Sequence, residues 1–326
     1  MPQGHGAQSI KSFINQAHPN SIRQVAMTTI SKFFRRYLKH YVLLLPFFIL
    51  FAIFYLYPLV YSFVISLMKW DGIHTPVFVD VQNYARIVSQ PRFSVSMLNL
   101  GRFVLIVVPV GITIALALAL LVDTFTPHWE KFFRGMYFLP VIIPMFLSAA
   151  IFRYLLSPKV GLIPITLTAL GITDINWLSN PTYMVPAVAL VDMWRAIGFN
   201  FLLLFGGLKA IPREYFEAAR VDGANRWQEI VHITIPQLEP VLFLVVVNGF
   251  IGALQAFDIP WLLSLSTFVN YGGTRNGMLF PVMEIYMAAW GRQDFGGASA
   301  FAVILLAITL VITIVQFTWR KYRLNN

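Results

Sequence analysis

Six polar residues stand inside stretches that are otherwise apolar, and they are where chemistry could occur. Asp192, Arg195 and Asn200 interrupt one stretch; Asn248, Gln255 and Asp258, with Gly252 among them, interrupt another. Charges and carboxamides are costly in hydrocarbon, so each calls for a function or a partner. Asp192 and Arg195 are three residues apart, which suits an internal ion pair as well as contact with a solute. Asn248, Gly252 and Gln255 share a helical face, with Asp258 one turn beyond. Carboxamides and carboxylates hydrogen-bond paired hydroxyls, so this face suits either the lining of a translocation path or bonding between helices. Tyr61, Trp194 and Phe257 offer rings for stacking, although most of the 29 phenylalanines must face lipid or core.

Catalytic patterns are missing from the sequence. It has no Gly-rich phosphate loop ending in Gly-Lys-Ser or Gly-Lys-Thr, no His-Glu-x-x-His and no Gly-x-Ser-x-Gly elbow. There is no cysteine, hence no disulfide, thiolate metal site or thiol nucleophile. His5, His18, His40, His74, His128 and His232 are scattered over tail and loops, so no metal site is expected. No catalytic residue and no cofactor is assigned to this chain.

The elements that must position the polar residues follow from composition. Of 326 residues 58% are hydrophobic and 12% charged, and the mean hydropathy is +0.69; this is a membrane protein. Six segments are long enough to cross roughly 30 Å of hydrocarbon: Val42 to Leu67, Gly101 to Val122, Phe138 to Leu156, Tyr183 to Leu208, Val241 to Leu265 and Ala300 to Thr318. Pro46, Pro58, Pro140, Pro144 and Pro260 predict kinks or ends. Residues 1–20 read as a flexible tail, and 21–41 as a basic amphipathic helix lying on the anionic inner leaflet, too far from the start to be a cleavable signal. The net charge of +10 does not indicate nucleic acid, because the basic residues lie at the ends of apolar segments. With the N-terminus inside, fifteen Lys and Arg fall on the inner side and six on the outer, which puts both termini and the loop 209–240 in the cytoplasm.

That loop is polar and too long for a simple turn. Pro212 suits the first position of a helix carrying Tyr215, Glu217, Ala218, Ala219 and Asp222. Asp222-Gly223 breaks it, Ala224 follows, and Asn225 with Gln228 three positions on caps a second helix with Trp227, Ile230 and Val231 on its apolar side, ending before Pro236. The expectation is helix, sharp turn, helix.

The pattern Glu217-Ala218-Ala219, Gly223, Ile233, Pro236 resembles the cytoplasmic coupling loop of ABC importer permeases. Other pieces resemble the sugar-type, binding-protein-dependent branch: Tyr57-Pro58, Trp70-Asp71-Gly72, Asn83-Tyr84, Phe132-Phe133-Arg134, Leu254-Gln255-Ala256-Phe257-Asp258 and Gly296-Gly297-Ala298-Ser299-Ala300. One departure is that Tyr271-Gly272-Gly273-Thr274 has no proline after its paired glycines. The resemblance covers about residues 42–320 and implies the type I ABC importer permease fold, an all-α polytopic protein of six transmembrane helices with a short tail at 321–326. It implies the inner membrane of a prokaryote, and coupling to a cytoplasmic ATPase dimer, which holds the ATP and Mg, through Glu217, Ala218, Ala219, Asp222, Gly223, Ala224, Trp227 and Pro236. It also implies a second, non-identical permease, an external solute-binding protein and a sugar-like solute, the chain itself not being an enzyme. A second reading is an ion-gradient-driven carrier using Asp192 or Asp258, and a third a membrane anchor whose hairpin only recruits a partner.

Overall fold

A computed structural model describes residues 41–158, 160–172, 175–267 and 270–325. The expected tail 1–20 and nearly all of the amphipathic segment 21–41 lie outside these residues. Two compact units divide the chain after Tyr61.

Among the described residues the first helix is α1 (Tyr41–Ser66). Phe47, Phe51 and Tyr55 stack in sequence at 6.1 and 5.8 Å, one turn apart. Pro58 has no N–H to offer the carbonyl four residues back, and a π-turn at Ala52–Leu56 absorbs the change of register just before it.

The second unit follows with a two-stranded antiparallel pair, β1 (Met68–Lys69) and β2 (Val77–Phe78), and α2 (Gln82–Val88). Then come α3 (Pro91–Val122), α4 (Pro127–Ile142), α5 (Met145–Leu155), α6 (Leu162–Ala169) and α7 (Pro181–Lys209). The hairpin supplies α8 (Arg213–Val221) and α9 (Arg226–Gln237). The chain finishes with α10 (Glu239–Leu254), α11 (Asp258–Leu263), α12 (Pro281–Tyr286) and α13 (Phe295–Asn325). Among the described residues four helices are long and apolar enough to cross a membrane, and there are six crossings if each of two bent pairs, α4 with α5 and α9 with α10, counts as one.

The expected boundaries need four corrections. The third segment is not one helix: α4 and α5 meet at 97°, because Ile143 and Pro144 are extended and Pro144 cannot continue the ladder. The fifth does not run on to Leu265 but stops at Leu254, and a break at Gln255–Phe257 precedes the short α11, whose Pro260 sits in its first turn. The hairpin does not stop before Pro236; a π-turn at Ile230–Thr234 carries the helical path past it to a 69° elbow at Leu238. Finally, α3 starts at Pro91 and α13 runs past Thr318, since a helix continues beyond the hydrocarbon wherever its backbone stays bonded.

Packing centres on α3 against α7. Ala115 and Ala119, one turn apart on α3, are fully buried beside Phe201, Leu204 and Phe205 of α7 and Val245 of α10. Small side chains let helices approach where lipid supplies no hydrophobic force between them. A larger cluster toward the other end joins α3, α5, α7, α11 and α12 through Phe103, Phe152, Val188, Ile259 and Met283, with Leu279 and Phe280 just ahead of α12. At the hairpin end Lys209 bonds both Asp123 (2.8 Å) and Glu130 (3.1 Å), tying α3, α4 and α7. At the far end Glu284, only 2% exposed, accepts hydrogen bonds from Arg92 Nε (3.0 Å), Tyr271 Oη (2.9 Å) and Arg292 Nη2 (2.7 Å).

Motifs far apart in sequence also meet at that end. Phe295 N and Gly296 N donate to Trp70 O (3.0 and 3.3 Å), and Asn83 Nδ2 donates to Met68 O (2.8 Å). A Cβ on Gly296 would lie 2.0 Å from Met68 O, so only glycine fits there. Gly296→Val should therefore cost about 1–3 kcal/mol through forced displacement of this contact, read as a lower melting temperature of the detergent-purified protein. Unchanged melting would refute the close approach.

Candidate functional site

The polar residues of the apolar stretches converge. Asp192, Arg195 and Asn200 from α7 face Asn248 and Gly252 from α10, Gln255 from the break after it and Asp258 from the start of α11 across a cavity of about 470 Å³. Phe103 of α3, Phe199 of α7 and Phe257 complete its walls. The break at Gln255–Phe257 brings Phe257 to the space that Gln255 and Asp258 also line, whereas a continuous helix through Leu265, at about 100° per residue, would have set Phe257 on the side opposite Gln255. Asp192, Arg195 and Asn200 are half-buried, whereas Asn248, Gly252, Gln255 and Asp258 are exposed, so the cavity is open along the α10–α11 side.

Of the two readings their spacing allows, an ion pair or contact with a solute, the ion pair between Asp192 and Arg195 does not form. Neither residue belongs to an ion pair among the described residues, and Arg195 Nε is buried without a hydrogen-bond partner. Their helical spacing permits contact; the two side chains face the cavity instead. Nor do the side chains of Asn200, Asn248, Gln255 or Asp258 bond one another. A site with one guanidinium, two carboxylates and three carboxamides, none of them hydrogen-bonded through its side chain among the described residues, can exchange several hydrogen bonds with a polar guest. A Cβ on Gly252 meets nothing within 4 Å, so this position is open space.

Two sequence candidates are not among the lining residues. Trp194 packs edge-on against Phe152 (5.1 Å) in the core and does not line the cavity. The helix rotates about 100° per residue, so a neighbour of cavity-lining Met193 and Arg195 can point into packed protein. Tyr61 belongs to the N-terminal unit, where it stacks on Tyr57 at 5.8 Å.

The hairpin forms the second part of the site. Its turn rests on Gly223 at φ +82°, with Ala224 N donating to Ala219 O (2.9 Å). Asn225 Oδ1 accepts from Gln228 N while Gln228 Oε1 accepts from Asn225 N, a reciprocal cap for α9. Arg220 donates to both carboxylate oxygens of Glu229 across the turn (2.7 and 3.3 Å). This clasp was not anticipated from sequence, although opposite charges flanking a glycine turn were the available signal. The hydrogen bonds from Arg220 hold the Glu229 carboxyl below its usual 4.5. The clasp therefore persists above the ordinary carboxylate range and is lost only as pH falls through that lowered value. Tyr215, Val221 and Trp227 are 51%, 88% and 72% exposed, an apolar outer face on a polar loop. Ala218, Asp222 and Gly223 are exposed on it, and Ala219 and Ala224 half-buried. Glu217 borders a cleft of about 770 Å³ between the hairpin and the ends of α3 and α7, and Pro236 lies at the elbow.

Since Asp192 makes no ion pair or side-chain hydrogen bond among the described residues, Asp192→Asn should change folding stability by less than about 0.5 kcal/mol, whereas breaking a buried ion pair would cost about 3–5 kcal/mol. Thermal denaturation of the purified variant decides between these values.

The family described as the binding-protein-dependent transport system inner membrane component matches residues 108–319. The probable ABC transporter permease protein YurN of Bacillus subtilis is 30% identical, over 84% of this chain and 93% of its own length. The trehalose/maltose transport system permease protein MalF of Thermococcus litoralis is 29% identical, over 87% of this chain and 94% of its own. In structure the chain is similar to a bacterial ABC transporter involved in the import of the acidic polysaccharide alginate, with a TM-score of 0.78 at 21% identity, covering 90% of this chain and 99% of that one. None of these likenesses supports a carrier driven by an ion gradient through Asp192 or Asp258.

Proposed function

The chain belongs to the family of binding-protein-dependent transport system inner membrane components, as an ABC importer permease, and on that footing we propose that it moves a sugar or related polyhydroxylated solute through the cavity between α7, α10 and α11. The observation that carries this reading is the cavity itself, a set of uncommitted carboxamides, carboxylates and one guanidinium beside the rings of Phe199 and Phe257. Sugars present vicinal hydroxyls on their edges and C–H groups on their faces, so they use both kinds of wall at once. The volume lies in the range of small-molecule sites. Relatives named for trehalose and maltose and a structural neighbour named for alginate support the carbohydrate class.

The energy source in this reading is a separate cytoplasmic ATPase dimer that holds the ATP and Mg, this chain having no phosphate loop. The exposed face of Tyr215, Ala218, Val221 and Trp227 suits a protein cleft better than water. The bias of Lys and Arg supports a cytoplasmic position for that hairpin and both termini. The cavity is open along Asn248, Gly252, Gln255 and Asp258, and a second permease, non-identical by the family pattern, would complete its wall. A solute-binding protein would deliver the solute to the opposite end. ATP-driven closure of the ATPases draws the paired hairpins together and opens the path outward.

Extraction in mild detergent should recover this chain with an ATPase and a second permease; recovery of the chain alone, under conditions that preserve known complexes, would refute the assembly. Gly223→Asn separates folding from docking: Asn tolerates positive φ, and a Cβ there meets nothing within 4 Å of this chain. It should leave insertion intact and reduce ATPase recovery about tenfold, the loss expected of one interface contact worth more than 1 kcal/mol. Gly252→Phe should keep the complex and its ATPase yet abolish uptake, measured with labelled maltose, trehalose and uronate oligosaccharides in vesicles that transport at least one of them before substitution.

A further inference from the structure

The last helix is clamped at both ends. At the hairpin end Arg320 Nε donates to Glu239 Oε1 (2.9 Å) and Nη2 to Oε2 (3.2 Å). The same guanidinium lies 4.5 Å from the centre of the Phe243 ring, and Phe243 meets Phe317 edge-on at 5.0 Å. Glu239 opens α10 immediately after the 69° elbow, beside the fully buried Leu238. At the far end Asp294 pairs with Arg86 (2.7 Å) and accepts from Gly297 N (3.0 Å), fastening the first turn of α13. Two backbone bonds to Trp70 O, the Trp70–Phe295 ring contact at 5.5 Å and the seat of Gly296 against Met68 O secure that turn to the β1–α2 segment.

Between the clamps run 25 residues of helix, about 38 Å at 1.5 Å per residue. A helix of that length with all its backbone bonds made is stiff along its axis, and a bidentate guanidinium–carboxylate fork fixes orientation as well as distance. The Glu239 and Arg320 side chains are 27% and 29% exposed, and partly exposed pairs contribute little to stability. Directional control of the joint is the stronger reason for a bidentate pair at this elbow.

We infer that α13 is the strut that carries movement of the hairpin to the β1–α2 segment at the far end, with Glu239 and Arg320 as the positioning residues of its joint. This rests on the reading of the hairpin as the ATPase-docking element. Displacement of α9 swings the elbow; the fork obliges α13 to follow, and the Asp294–Arg86 and Trp70 contacts pass that displacement on.

The chain has no cysteine, so a cysteine at Ile73, which is 75% exposed in the β1–α2 segment, is its only thiol. A fluorophore on Ile73→Cys in the reconstituted complex, with ATP hydrolysis measured in the same preparation, reports the far end when ATP and vanadate are added. The unaltered joint should give a clear spectral change. Arg320→Lys and Glu239→Gln should retain hydrolysis and diminish the change about fivefold or more, and Glu239→Arg combined with Arg320→Glu should restore most of it. An unaltered protein with no change, single variants with a full change, or a reversed pair no better than the singles would each overturn the strut. So would parallel loss of hydrolysis and signal, which marks the pair as needed for assembly alone. Failure of the docking reading shows separately, because no ATPase then co-purifies with the chain.

Discussion

Helices in hydrocarbon gain nothing by hiding apolar side chains from one another, since lipid is as apolar as leucine. This bundle therefore depends on close approach. Ala115 and Ala119 let α3 settle against α7, and the other elements are arranged on that pair. Polar contacts then fasten the ends, with Lys209 between Asp123 and Glu130 at one and Glu284 among Arg92, Tyr271 and Arg292 at the other. Ion pairs at the ends cost less to desolvate than at the middle, and the middle is left to van der Waals packing and the cavity.

The placement of uncommitted polarity follows from the same constraint. Side chains with internal partners stabilise one arrangement; side chains without them remain available to a guest. Here the partnered charges gather at the two ends, while Asp192, Arg195, Asn200, Asn248, Gln255 and Asp258 share the cavity. The break at Gln255–Phe257 lines that cavity, and Val141 and Met145, on either side of the break at Ile143–Pro144, line it as well. Irregular backbone at membrane depth is tolerated where it lines a cavity or is buried in protein, and the break at Gln255–Phe257 obeys that rule. A path for a hydroxylated solute and the loss of helix continuity are thus two aspects of one local structure.

The hairpin shows the opposite balance. Its interior contacts are fully satisfied by the reciprocal Asn225–Gln228 cap and the Arg220–Glu229 clasp, so it holds its shape as a body. Its outer face of Tyr215, Val221 and Trp227 is unsatisfied in the apolar sense. A rigid element with an apolar outer face, joined to α10 by an elbow, is suited to being gripped and moved.

Much of this was written in local sequence. Residue type dictates the spans, because about 20 apolar residues have no other stable place. The hairpin's turn and cap were legible too, since Gly223 and Asn225 act on backbone within three residues of themselves. Spacing alone grouped Asn248, Gly252, Gln255 and Asp258, and all four line one cavity although the helix breaks after Leu254. What only the tertiary structure decided were relations across distance. Asp192 and Arg195 have the spacing of a pair yet face the cavity unpaired, and Trp194 turns into the core. The clasp of Glu239 by Arg320, 81 residues apart, and of Arg86 by Asp294, 208 apart, leave no local signal. Periodicity reports which face of a helix is apolar, whereas the partner of a charge depends on how the helices are stacked, and that is set by the whole bundle.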